Sequence, residues 1–190
     1  MLILNAVLFT AAVQAAAIIR PIDTDRFTAT ELVHSLDVIA NATHSTADLT
    51  SGFTADRNSE EYNHLNTEFD EIIQASELAI GVLQHDSPAE GKKVTYEGYT
   101  EQERGPICRS GEYLLETGME LARGLNRSFD SKLMARLRRA VFSVDGLATV
   151  TGNSASCAGN YTQKLGDLHT MIVVNESAED FQTQNGTAAQ

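Results

Sequence analysis

Residues 60–83, EEYNHLNTEFDEIIQASELAIGVL, decide the architecture. Tyr62, Leu65, Phe69, Ile72, Ser76, Ala79 and Leu83 recur at steps of three and four, which places them in one stripe along a helix. Asp56, Asn58 and Ser59 stand just ahead as candidate caps, because their side-chain oxygens can accept from the first unbonded amides of a helix. Burial of each larger apolar side chain contributes roughly 1.5–3 kcal/mol before entropy is subtracted, so this helix is expected to anchor a core. The carboxylates Glu60, Glu61, Glu68, Asp70 and Glu71 read as its solvated face.

Working toward the N-terminus, Thr28-x-x-Glu31 is a capping box. Leu32, Leu36, Ile39, Thr43 and Thr46 follow it at helical spacing, with an end near Gly52. The second half of this stripe is small and polar, suited to cover something thin or to face a partly open space. Residues 18–27, with Pro21, read as a linker.

Toward the C-terminus, residues 85–99 (HDSPAEGKKVTYEGY) lack periodicity and predict a long connection. Thr100 to Glu103 is expected to cap a short turn only, and Pro106 to stand in the first turn of the third helix, where its missing N–H costs nothing. Ile107, Gly111, Leu114, Leu115, Gly118, Leu121, Ala122 and Leu125 supply the inward face. Gly111, Gly118 and Gly124 each cost about 1 kcal/mol relative to Ala. Two compensations fit: close approach of a neighbouring helix, or room for a ligand against the backbone.

Phe129-Asp130 interrupts the pattern. A fourth helix is predicted from Ser131, with Leu133 or Met134, then Leu137, Val141, Val144 and Ala148 inward, ending at Thr151 to Ser154. Tyr161, Leu165, Leu168, Met171 and Ile172 predict a fifth. The polar stretch 175–190 is expected to be a disordered tail. No run alternates with period two. The expected fold is therefore all-α, an up-and-down bundle of four or five amphipathic helices spanning 18–174.

Residues 2–17 (LILNAVLFTAAVQAAA) are an apolar run ending in small residues, read as a cleavable signal peptide with the mature chain starting at Ile18. The run is too short to span a bilayer, and no other segment is apolar for long enough to be a transmembrane helix. Five Asn-x-Ser/Thr acceptors follow, at Asn41, Asn126, Asn160, Asn175 and Asn185, and favour an extracellular glycoprotein. In an oxidising compartment the two cysteines, Cys108 and Cys157, are expected to form one disulfide. It would close a loop of about 50 residues, worth about 4 kcal/mol in the chain-entropy account.

With 14 basic against 26 acidic residues the formal net charge is -12, which argues against nucleic acid and anionic membrane surfaces as main partners. No acid, base and nucleophile set is recognisable, so the protein is expected not to be an enzyme and to need no metal or cofactor. The histidines His34, His44, His64, His85 and His169 fall in different elements and read as solvated. Glu61-x-x-His64 has the spacing of a di-iron bundle but no second such pair, and Arg109-Ser110-Gly111 sits in a helical context where Ser is no nucleophile.

From about Thr30 to Ala158 the chain resembles the fungal hydrophobic surface-binding protein A family, which includes cell-wall galactomannoproteins. The resemblance lies in the third helix from Pro106, then Asn126-Arg127-Ser128-Phe129-Asp130, then residues 133–150 (LMARLRRAVFSVDGLATV) and a small-residue end at Ser154 to Ala158. Cys108, Cys157, the long polar connection and the acidic tail depart from the usual family pattern. The resemblance implies a non-enzymatic extracellular domain that adsorbs to hydrophobic surfaces or holds a fatty-acyl chain between helices. Amphipathic helices can part to offer such an apolar slot, and its expected lining is Leu36, Ile39, Phe69, Ile72, Ile73, Leu114, Leu115, Leu137 and Val141. The alternative is a secreted protein-interaction module, an effector or an inhibitor built like the plant invertase and pectin methylesterase inhibitor bundles, which usually carry two disulfides.

Overall fold

The computed structural model describes residues 27–54, 59–85 and 99–186. The expected signal peptide at 1–17, its cleavage at Ile18, and the candidate caps Asp56 and Asn58 lie outside them. Among the described residues there are five helices and no strand: α1 (Ala29–Gly52), α2 (Glu60–His85), α3 (Glu101–Ala122), α4 (Ser131–Ala155) and α5 (Asn160–Gly186). A four-residue 3-10 turn, Arg123–Asn126, follows α3.

Local chemistry sets the helix starts. At α1 the Thr28 hydroxyl accepts from the Glu31 amide at 3.2 Å while the Glu31 carboxylate accepts from the Thr28 amide at 2.8 Å, which holds the Glu31 carboxyl below its ordinary range. Ser59 caps α2 by accepting from the Tyr62 amide at 3.0 Å. Asp130 caps α4, its Oδ1 accepting from the amides of Lys132 (3.0 Å) and Leu133 (3.4 Å). α3 corrects the expectation for Pro106. The Glu103 carboxylate accepts from the Thr100 amide at 2.8 Å, the helix starts at Glu101, and Pro106 lies inside it. Gly105 stands where a Cβ would press on the proline ring, so that conflict is absent here.

α4 ends with Ser156 in the left-handed region (φ 53°), the amide of Cys157 donating to Gly152 O at 2.9 Å and that of Ser156 to Asn153 O at 3.4 Å. This is a Schellman closure built on serine in place of glycine. α5 continues through Asn175 to Gly186, so the disordered tail expected from 175 is helical over most of its length.

Cross-contacts fix the arrangement of the helices. α1 packs on α2 and α3, and α4 packs on the same two, while among the described residues α1 and α4, like α2 and α3, lie diagonally opposite with their backbones apart. The helices alternate up and down along the chain, yet the neighbouring pairs α1/α3 and α2/α4 run parallel: Asn41 meets Tyr113 and His44 meets Glu120, as Tyr62 meets Asp130 and Glu77 meets Arg139. α5 lies against α3 and α4, parallel to the first and antiparallel to the second.

One continuous apolar core fills the bundle, with Leu32, Leu36, Phe69, Leu114, Leu115, Leu137 and Val141 fully buried. The thin half of α1 is closed, not open. Thr43, Thr46 and Thr50 are buried, and each hydroxyl donates to the carbonyl four residues back, Ile39, Ala42 and Thr46 respectively, at 2.7–2.8 Å. The inward glycines likewise serve close approach. A Cβ on Gly118 would stand 2.8 Å from Val144 Cγ1, and one on Gly124 2.7 Å from Thr50 Cγ2. The ligand space left open at the sequence level is therefore taken by neighbouring side chains at these positions.

Cys108 of α3 and Cys157, just past α4, form the disulfide, with Cα atoms 5.6 Å apart. Beside it Tyr161 of α5 is buried, its hydroxyl donating to Ala148 O, and burial pushes the phenol above its ordinary pKa. Lys164 binds Glu112 (3.1 Å) and Glu116 (2.7 Å), which ties α5 to α3, and His169 binds Asp145 on α4. Burial raises the Asp145 carboxyl, against the opposing pull of His169.

Candidate functional site

The nine residues expected to line a slot between helices, Leu36, Ile39, Phe69, Ile72, Ile73, Leu114, Leu115, Leu137 and Val141, are all buried within the continuous core. None of them lines either of the two grooves described next. Periodicity marks which side of a helix turns inward, and a slot and a closed core share that signature.

The grooves sit at one end of the bundle, where α1 finishes, α2 begins and the 3-10 turn passes. The first encloses about 550 Å³ between the last turns of α1 and the first of α2, lined by Ser45, Asp48, Leu49, Gly52, Phe53, Glu61, His64 and Leu65. Leu49 and Phe53 offer its accessible apolar surface, over the buried Leu65. Leu49 is 37% exposed, off the buried stripe of α1. Behind Phe53 the rings of Tyr62 (centroid distance 6.3 Å) and Phe129 (5.9 Å, edge-on) complete an aromatic cluster. The Phe129-Asp130 pair thus has a structural role: Phe129 backs the groove, and Asp130 caps α4 while accepting from the Tyr62 hydroxyl at 3.3 Å.

The second groove, about 370 Å³, lies on the adjoining face of α1 and is charged. Its lining is His44, Ala47, Asp48, Thr50, Ser51, Glu120, Arg123, Gly124 and Arg127. His44 Nδ1 lies 2.7 Å from Glu120 Oε2, and this hydrogen bond raises the imidazole pKa. Asp48 is 4.0 Å from the other ring nitrogen and forms the ridge shared by the two grooves.

His34, His44 and His169 are exposed, and several of the residues read as solvated also have partners. His64 faces Glu68 at 3.7 Å, and His169 binds Asp145. On α2, Asp70 pairs with Arg136 of α4, while burial and then the nearby Glu68 raise the Glu71 carboxyl. Glu61 and His64 stand on the rim of the apolar groove. Ser110 is buried. Of the five Asn-x-Ser/Thr motifs, Asn41, Asn126 and Asn160 are exposed, Asn175 is half-buried with its amide donating to Met171 O, and the Asn185 side chain is outside the described set.

Sequence reasoning missed the Leu49, Phe53 and Arg123, Arg127 linings. Leu49 carried a usable signal, an apolar residue off the buried stripe near the end of a helix. No helix among the described residues is long and apolar enough to cross a membrane. The chain matches no family model, no curated protein and no solved structure.

Proposed function

We propose that this is a secreted, non-enzymatic protein that binds hydrophobic surfaces or single-chain lipids, with the apolar part of the ligand docking in the groove of Leu49, Phe53 and Leu65. The observation that carries this reading is the groove itself, whose volume of about 550 Å³ falls in the range of small-ligand sites and whose wall displays an exposed leucine. Relative to the expectation from sequence, the docking place moves from between the helices to the end of the bundle. Extracellular residence is supported by the signal-like residues 2–17, the five acceptor motifs and the disulfide.

The test is displacement of an environment-sensitive fatty-acid probe from the secreted, deglycosylated protein, paired with adsorption to hydrophobic beads. Leu49→Asp should abolish probe binding while leaving the melting temperature within a degree or two, because the side chain is already partly in water. Absence of both probe binding and adsorption in the wild type would sink the reading. A second reading, an extracellular protein partner, is favoured by the exposed Leu78, Phe142, Val173 and Val174 on α2, α4 and α5. Recovery of one stoichiometric protein partner, lost on Phe142→Asp, would favour it.

A further inference from the structure

We infer that the charged groove is an anion subsite in which Arg123 and Arg127 hold the oxyanion head of an amphiphile whose chain lies in the neighbouring groove of Leu49, Phe53 and Leu65. For the placement of the chain this rests on the lipid-binding reading above; the arginine pair is a separate observation.

Acidic residues outnumber basic ones 26 to 14, so carboxylate partners are plentiful on this chain. Three cations elsewhere pair with carboxylates across helices: Arg136 with Asp70, Arg139 with Glu77, and Lys164 with Glu112 and Glu116. Arg123 and Arg127 line one groove and make no ion pair with any described residue. The two carboxylates that share the groove are already faced by another group, since His44 binds Glu120 at 2.7 Å and stands 4.0 Å from Asp48. The guanidinium forks are thus left to offer paired donors to an oxyanion.

Backbone geometry holds the two arginines in place. Arg123 closes α3 and opens the 3-10 turn, and Arg127 leaves the turn with its amide donating to Gly124 O at 3.0 Å. Gly124 lets that turn close on α1, where Thr50 occupies the space a Cβ would need. The two grooves use adjacent faces of the same last turns of α1: His44, Ala47 and Ser51 on one side, Ser45, Leu49 and Gly52 on the other, with Asp48 between. The two grooves share Asp48 as a common wall, so one amphiphile can place its head in one and its chain in the other. The overall negative charge repels anions at long range, so a preference for an anionic over a neutral amphiphile needs a local source of positive charge.

The experiment is calorimetric titration of the full secreted protein with dodecanoate, with dodecanol and with inorganic sulfate, in wild type and in the R123Q/R127Q double variant. The wild type should bind dodecanoate more tightly than dodecanol. The double variant should lose roughly ten-fold for dodecanoate and keep dodecanol within about two-fold. R123K/R127K, which keeps charge but loses the fork, should fall between. Equal dodecanoate affinity in wild type and double variant would overturn the anion subsite and leave the apolar groove standing. Failure of dodecanol to bind the wild type, with sulfate or dodecanoate still sensitive to the arginines, would overturn the placement of the chain and the lipid reading with it.

Discussion

The ring of Tyr161 occupies the space a methyl on Gly111 would need: a Cβ built there lies 2.5 Å from Tyr161 Cε2, and Gly152 is met by the same ring at 2.7 Å. Tyr161 is thereby a wedge between α3 and α4, hydrogen-bonded to Ala148. Gly111→Ala gains about 1 kcal/mol of helix propensity but forces the buried ring to move, and overpacking of that kind costs about 1–3 kcal/mol. Urea denaturation should show a net loss for Gly111→Ala. Gly81→Ala in α2, where a Cβ meets nothing within 4 Å, should gain about 0.5–1 kcal/mol. A stabilised Gly111→Ala would contradict the wedge.

Reduction of Cys108–Cys157 frees a loop of 49 residues and should cost about 4 kcal/mol, read as a lowered urea midpoint with added reductant. A midpoint unmoved by complete reduction would show that the packing of Tyr161, Leu168 and Ile172 and the polar ties of Lys164 and His169 hold α5 in place without the disulfide.

Asp130→Ala removes the cap of α4 and the acceptor for Tyr62 together, and should lose about 1–2 kcal/mol. Asp130→Asn keeps a capping oxygen and should recover most of it. If the two variants are equally unstable in the same denaturation assay, the charge and not the cap is what matters.

His44 titrates above the ordinary imidazole value of 6.5 because its ring bonds to Glu120. A raised folded pKa stabilises the fold fully below pH 6.5, and that contribution is lost as pH rises through the folded value. An NMR titration of the ring should place its midpoint above 6.5 in the wild type and move it back toward 6.5 in Glu120→Gln. An unchanged midpoint in that variant would remove Glu120 as the cause.

Helix positions were largely legible because stripes such as Tyr62 to Leu83 and caps such as Thr28 and Ser59 are local properties of the chain. Pro106 was misleading for a related reason. Its cost inside a helix is plain from sequence, whereas the strength of the Thr100 to Glu103 start that carries the helix through it is not. The candidate site was barely legible. Leu36 and Leu137 have the same pattern whether they line a slot or close a core, and only the neighbours, here Tyr161, Val144 and Thr50 filling the space over glycines, decide between the two. The charged groove depends on pairs such as His44 with Glu120, 76 residues apart, which no local pattern reports.

The parallel pairing of α1 with α3 and of α2 with α4 also sets how the chain must reach this state. Its tying contacts join residues far apart along the chain, 72 for Asn41 with Tyr113 and 68 for Tyr62 with Asp130. The hairpin of α1 and α2 cannot complete its surroundings until that of α3 and α4 has been made and docked. Loop closure must therefore be met before most native contacts repay it, and refolding should be slower than in a bundle whose neighbours follow one another in sequence.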